Sequence, residues 1–118
     1  MGISLYYSAE RKLPLTVQEN ETINKIITKY SDAFEFKGIG EDFCVYEYDI
    51  SEPDIIFSGA TKLPMTEDVN DMFSACLHWA GCLTEIRKSV PNSTWYVNLD
   101  DTDLLWDEDT GWYFSDEF

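Results

Sequence analysis

Six carboxylates crowd into the ten positions from Asp100 to Asp109: Asp100, Asp101, Asp103, Asp107, Glu108 and Asp109. Oxygen ligands this close in sequence raise the question of calcium. A helix-loop-helix calcium loop places them at positions one, three and five, with Gly at six and Glu at twelve. Counted from Asp101, Asp103 takes the third position, but Leu105 and Trp106 fall on the fifth and sixth. Counted from Asp107, Asp109 fits and Gly111 arrives one place early. The template fails in both registers, so no metal ligand set is expected from this spacing. Acid pairs of the kind glycoside hydrolysis uses can be drawn anywhere in so acidic a chain and identify nothing.

Nucleophilic chemistry finds no better footing. His78 is the sole histidine, on the flank of an apolar helical stripe. Cys44, Cys76 and Cys82 each sit among apolar neighbours, which fits buried reduced thiols rather than a disulfide framework. Neither the CxxC pairs nor the histidine partners of a zinc site are present. There is no GxGxxG, P-loop, GxSxG or HExxH. A Cys–His pair formed only by folding, from Cys44 or His78, is the one enzymatic alternative. No catalytic residue and no cofactor is expected.

What remains is recognition. Trp106 and Trp112 interleave with the six acids, and aromatic side chains rimmed by charge are what protein interfaces use as anchors. The competing expectation is that both tryptophans close the core and the acids are simply solvated. Charge sets the sign of any partner. The chain carries 23 acidic and 8 basic residues, a formal net charge of −15, and no Lys or Arg follows Lys88. Such a surface repels nucleic acid, whose phosphates need Lys and Arg, and repels anionic membranes. It attracts cationic proteins, at rates that salt reduces.

The elements that must position these residues are legible from periodicity. At 118 residues, 44% of them hydrophobic, the chain is expected to form a single domain over 1–118 with a real core. Residues 3–8 read as an opening strand. Thr16 and Glu19 form a capping box for a helix striped by Ile23, Ile26, Ile27 and Tyr30, ending near Ser31 or Asp32. Strands are expected over 34–37, 43–50 and 55–61, with Gly59 as a candidate bulge. Thr66 is a candidate N-cap for a long helix reaching about Ser89. Its stripe is Val69, Met72, Phe73, Cys76, Trp79, Ala80, Leu83 and Ile86. Residues 94–99 form a further strand, and 104–106 and 112–114 bracket a hairpin loop over 107–111. The order β-α-β-β-β-α-β-β predicts an α+β fold: an antiparallel or mixed sheet with two helices on one face, a ferredoxin-like variant. The N-terminal residues lack the apolar core of a signal peptide, and no run reaches transmembrane length, so the expected compartment is the cytoplasm. Oligomeric state is left open.

Size, the single α+β domain, the acidic C-terminal half and the phrases IIFSGATKLP, CLTEIRKSVP and WYVNLDD resemble small acidic bacterial proteins that serve as immunity partners of polymorphic toxins. The resemblance implies a non-enzymatic protein that neutralises a basic toxin or nuclease domain by covering or mimicking its substrate site. From the residues themselves, the expected partner-binding set is Asp100, Asp101, Asp103, Trp106, Asp107, Glu108, Asp109 and Trp112. The alternative expectation is a small-ligand or divalent-metal-binding domain.

Overall fold

The structure, a computed structural model, describes residues 4–34, 45, 54–63, 69–99 and 102–113. The elements are β1 (Ser4–Glu10), α1 (Val17–Ala33), β2 (Ile55–Lys62), α2 (Val69–Ser89), β3 (Thr94–Leu99), β4 (Thr102–Asp103), β5 (Leu105–Asp107) and β6 (Gly111–Tyr113). The fold is α+β. A four-stranded sheet has the order β2-β1-β3-β4, a separate ribbon pairs β5 with β6, and every pairing is antiparallel. Of the expected strands over 34–37 and 43–50, all but Phe34 and Val45 lie outside the described residues, as does the N-cap at Thr66.

Strand alternation puts one face of the sheet in the core. Leu5, Tyr7 and Ala9 of β1 are buried, flanked by Phe57 and Thr61 of β2 and by Trp95, Val97 and Leu99 of β3. Tyr6 and Tyr96 stand exposed on the other face. Thr61 is fully buried, and its hydroxyl meets the Tyr7 hydroxyl at 2.9 Å, so neither polar group is stranded in the core. The register between β1 and β2 shifts between Ala9, opposite Phe57, and Glu10, opposite Ile55. The bulged residue is therefore Ile56, not Gly59, which stands in register opposite Tyr7. The reason is that Ile56 and Phe57 are both buried, which strict alternation forbids and an inserted residue permits.

Both helices join the same apolar cluster as the inner face of the sheet. In α2, Met72, Cys76, Trp79, Ala80, Leu83 and Ile86 are buried as the period requires, while Ala75 and Cys82 widen the stripe beyond expectation. In α1 only Ile23 is fully buried, with Ile26, Ile27 and Tyr30 packed at the edge. The helices meet where Gly81 lets the Tyr30 ring lie close: a Cβ there would stand 3.3 Å from Tyr30 Cε2. The Tyr30 hydroxyl donates to Glu85, and Lys29 Nζ donates to both Glu85 oxygens at 2.8 and 2.9 Å. Helix α1 runs to Ala33, slightly past the expected end. Phe34 follows as a buried cap, its ring centroid 4.7 Å from that of Trp79.

The capping box forms as the sequence indicates. Thr16 Oγ1 accepts from the Glu19 amide at 3.0 Å, and Glu19 Oε1 accepts from the Thr16 amide at 2.9 Å. Glu19 also receives both terminal nitrogens of Arg11, at 2.7 and 3.0 Å. The Arg11 guanidinium further donates to the carbonyls of Leu13, Pro14 and Pro91. One side chain thus ties the end of β1 to the start of α1 and to the turn after α2.

The hydrogen bonds from Arg11, and then that from the Thr16 amide, hold the Glu19 carboxyl down at about 2 against an ordinary value of 4.5. A folded-state value below the unfolded one means stability that is complete above pH 4.5 and lost as pH falls towards 2. Glu19→Gln should therefore cost about 1–2 kcal/mol near neutrality. In urea denaturation across a pH series, that difference should shrink towards zero as the pH approaches 2.

Candidate interaction site

The closing hairpin is fastened to α2 by a helical threonine. Thr84 Oγ1 donates to the Ala80 carbonyl at 2.8 Å and accepts from the Trp112 amide at 3.2 Å. This brings the β6 backbone so near the helix that only glycine fits at its first position. Gly111 has φ of +87°, and a Cβ there would fall 2.5 Å from Thr84 Oγ1. Across the hairpin Trp106 opposes Trp112, with ring centroids 5.2 Å apart in an edge-to-face pair. One helical turn beyond Thr84, the Arg87 guanidinium lies over both rings, 4.1 Å from the Trp106 centroid and 5.1 Å from that of Trp112. Such contacts are worth about 0.5–1 kcal/mol at exposed sites and more when desolvated. Burial pulls the Arg87 pKa below its ordinary value, and the nearby Glu108 charge opposes that shift.

The acids divide by what they touch. Asp107 Oδ1 accepts from the amides of Asp109 at 2.7 Å and Thr110 at 3.2 Å, so this carboxylate shapes the turn. Glu108 Oε1 accepts from Trp106 Nε1 at 2.9 Å. Asp103 is exposed at the end of β4, opposite Asn98, and Asp109 is exposed at the tip. Asp100 and Asp101 lie outside the described residues.

The two expected anchors separate. Trp112 is 7% exposed and belongs to the core cluster, because the Thr84 tether draws its backbone onto α2. Only Trp106, half-buried, keeps a surface for a partner, so Trp112 is corrected from anchor to core residue. Thr84 and Arg87 were absent from the expected set, although the sequence carried a signal: a threonine and an arginine three residues apart on the flank of an otherwise apolar stripe.

Among the described residues, the two cysteines are withdrawn from solvent and the histidine is occupied. Cys76 and Cys82 are fully buried, and burial pushes each thiol up to about 12. His78 Nε2 lies 2.6 Å from the Tyr30 carbonyl oxygen, among the rings of Tyr30, Phe34 and Trp79. Cys44 lies outside the described residues. Among those described, no three His, Cys, Asp or Glu side chains come together as a metal site, and no helix is long and apolar enough to cross a membrane. Comparison with protein-family models, curated proteins and solved structures finds no match for this chain.

Two measurements check this geometry. Gly111→Ala should destabilise the fold by about 2–3 kcal/mol through the left-handed backbone and the clash with Thr84. In a Thr84→Ala background the same change should cost less, since the clashes with Oγ1 and Cγ2 are gone and only the backbone penalty and a 3.1 Å approach to the Cβ of residue 84 remain; denaturant titration of the double-mutant cycle reads this. In a Cys44→Ser background, native protein should show no thiol reaction at pH 7–9, with Cys76 and Cys82 reacting only on unfolding.

Proposed function

We propose that this chain is a non-enzymatic binding protein whose acidic closing hairpin engages a basic protein partner. Its mode of action would be that of an immunity protein covering the cationic site of a toxin or nuclease domain in the cytoplasm. One observation carries the proposal. Asp107, Glu108 and Asp109 are all exposed on a short hairpin that is fastened to α2 by Thr84, Gly111 and Arg87, and Asp103 is exposed just before it at the end of β4. Carboxylates on a rigid support keep their spacing, so meeting a complementary surface costs little ordering entropy. The net charge of −15 adds long-range steering towards a cationic partner, an effect that reaches roughly 10- to 1000-fold in association rate for focused fields. Trp106 would supply the apolar contact at the centre. Free buried thiols at Cys76 and Cys82 suit a reducing compartment.

The test is kinetic and uses the basic protein that binds the chain. Converting Asp100, Asp101, Asp103, Asp107, Glu108 and Asp109 to their amides should slow association about tenfold or more at low salt and flatten its salt dependence. Because Asp107 also shapes the turn, the variant's fold is checked by circular dichroism. An association rate and salt slope equal to wild type in the folded variant would overturn the proposal.

A further inference from the structure

Arg87 stands out in a chain with so many acids to choose from. It makes no ion pair and no side-chain hydrogen bond with any described residue; its guanidinium is held over the rings of Trp106 and Trp112 instead. A guanidinium stacked on an aromatic face keeps its planar fork of N–H groups available at the edge, and stacking fixes its orientation beforehand. Beside it runs a groove of about 330 Å³, lined by Arg87, Lys88, Asn92, Ser93, Trp106 and Glu108.

The other polar groups of the groove are largely engaged. Ser93 Oγ donates to the Val90 carbonyl and accepts from Trp95 Nε1, and Glu108 Oε1 holds the Trp106 indole. Arg87, the exposed Lys88 and the exposed Asn92 amide are what the groove has left to offer, two cations and a neutral amide at the foot of an acidic hairpin.

We infer that this groove receives a carboxylate side chain presented from within the basic surface of the protein partner. The inference rests on the acidic-hairpin function proposed above and adds what that function lacks, a register. The Arg87 fork takes the two carboxylate oxygens, a geometry that suits guanidinium and not ammonium. Lys88 adds charge at the rim. Glu108 at the groove rim and Asp109 at the hairpin tip then face the partner's cations. A single carboxylate suits the groove better than a phosphate dianion, because Glu108 on the rim and the overall negative charge repel the second charge. The arrangement also gives selectivity. A wholly acidic face attracts any basic surface, whereas one that presents two cations among its acids disfavours a partner without the matching acid, which leaves Arg87 desolvated and unpaired.

Two end-blocked peptides test this: four lysines around a central aspartate, and the same peptide with asparagine. Binding is followed by the Trp106 indole resonance and by calorimetry at low salt. Wild-type protein should bind the aspartate peptide roughly three- to tenfold more tightly, although it carries less positive charge. Arg87→Lys keeps a cation over the rings but loses the fork, and should abolish the preference. Lys88→Gln, an exposed change away from the core, should reduce it. Amides at the hairpin acids should weaken both peptides alike and leave the preference in place. Equal binding of the two peptides by wild type, or a preference surviving Arg87→Lys, would overturn the groove and leave the acidic-hairpin function standing. Binding of neither peptide would overturn both.

Discussion

Burial of the apolar stripe of α2 beneath the sheet is the constraint on which the rest of the structure depends. Trp79, Leu83 and Ile86 are buried in the cluster shared with the inner face of the sheet, and with them fixed the other sides of the helix have no freedom. Gly81 and Glu85 must then face α1, where Tyr30 and Lys29 meet them. Thr84 and Arg87 must face the hairpin. A helix turns 100° per residue, so three clients around one cylinder are served by residues three or four apart. Rotating α2 to improve any one contact would break the other two.

The second organising feature is the bidentate Arg11–Glu19 pair. Its side chains are only 10% and 15% exposed, and it joins segments distant in sequence through the Pro91 carbonyl. Lys29–Glu85 is different in kind, with side chains 61% and 38% exposed. Pairs of that sort contribute about 0–1 kcal/mol. The first pair, having the better geometry and the additional carbonyl bonds, anchors the start of α1; the second mainly orients Tyr30.

Local signals in the sequence carried the fold where they agreed with burial. The capping box at Thr16 and Glu19, the alternation of β1 and β3 and the long stripe of α2 appear in the structure nearly at their expected boundaries. The bulge was misplaced because glycine is the usual marker of an irregular strand, whereas here two consecutive apolar residues demanded it. The two-residue β4 left no periodic trace. At the site, composition revealed the acids and aromatics but could not assign them sides. That depends on a contact between Thr84 and Trp112, 28 residues apart, which no local pattern encodes. Arg87 was legible as a residue suited to the helix C-terminus, yet its stacking on two tryptophans depends on the hairpin folding back.

Net charge of −15 raises the free energy of the compact state by self-repulsion, and the pairing just described offsets little of it. The core must therefore carry the fold despite its surface. Within the hairpin, carboxylates have local work: Asp107 closes the turn and Glu108 holds an indole. Either task could be done by a neutral side chain, since an asparagine closes the same turn and a glutamine oxygen accepts the same hydrogen bond. Local structure thus explains why polar oxygens stand at these positions and gives the Glu108 charge one local task, favouring the Arg87 cation, but it gives the Asp107 charge none. The cationic partner proposed above would account for the remaining charge. It would gain from the charge itself, relieve the repulsion on binding, and leave the turn and the indole bond as they are.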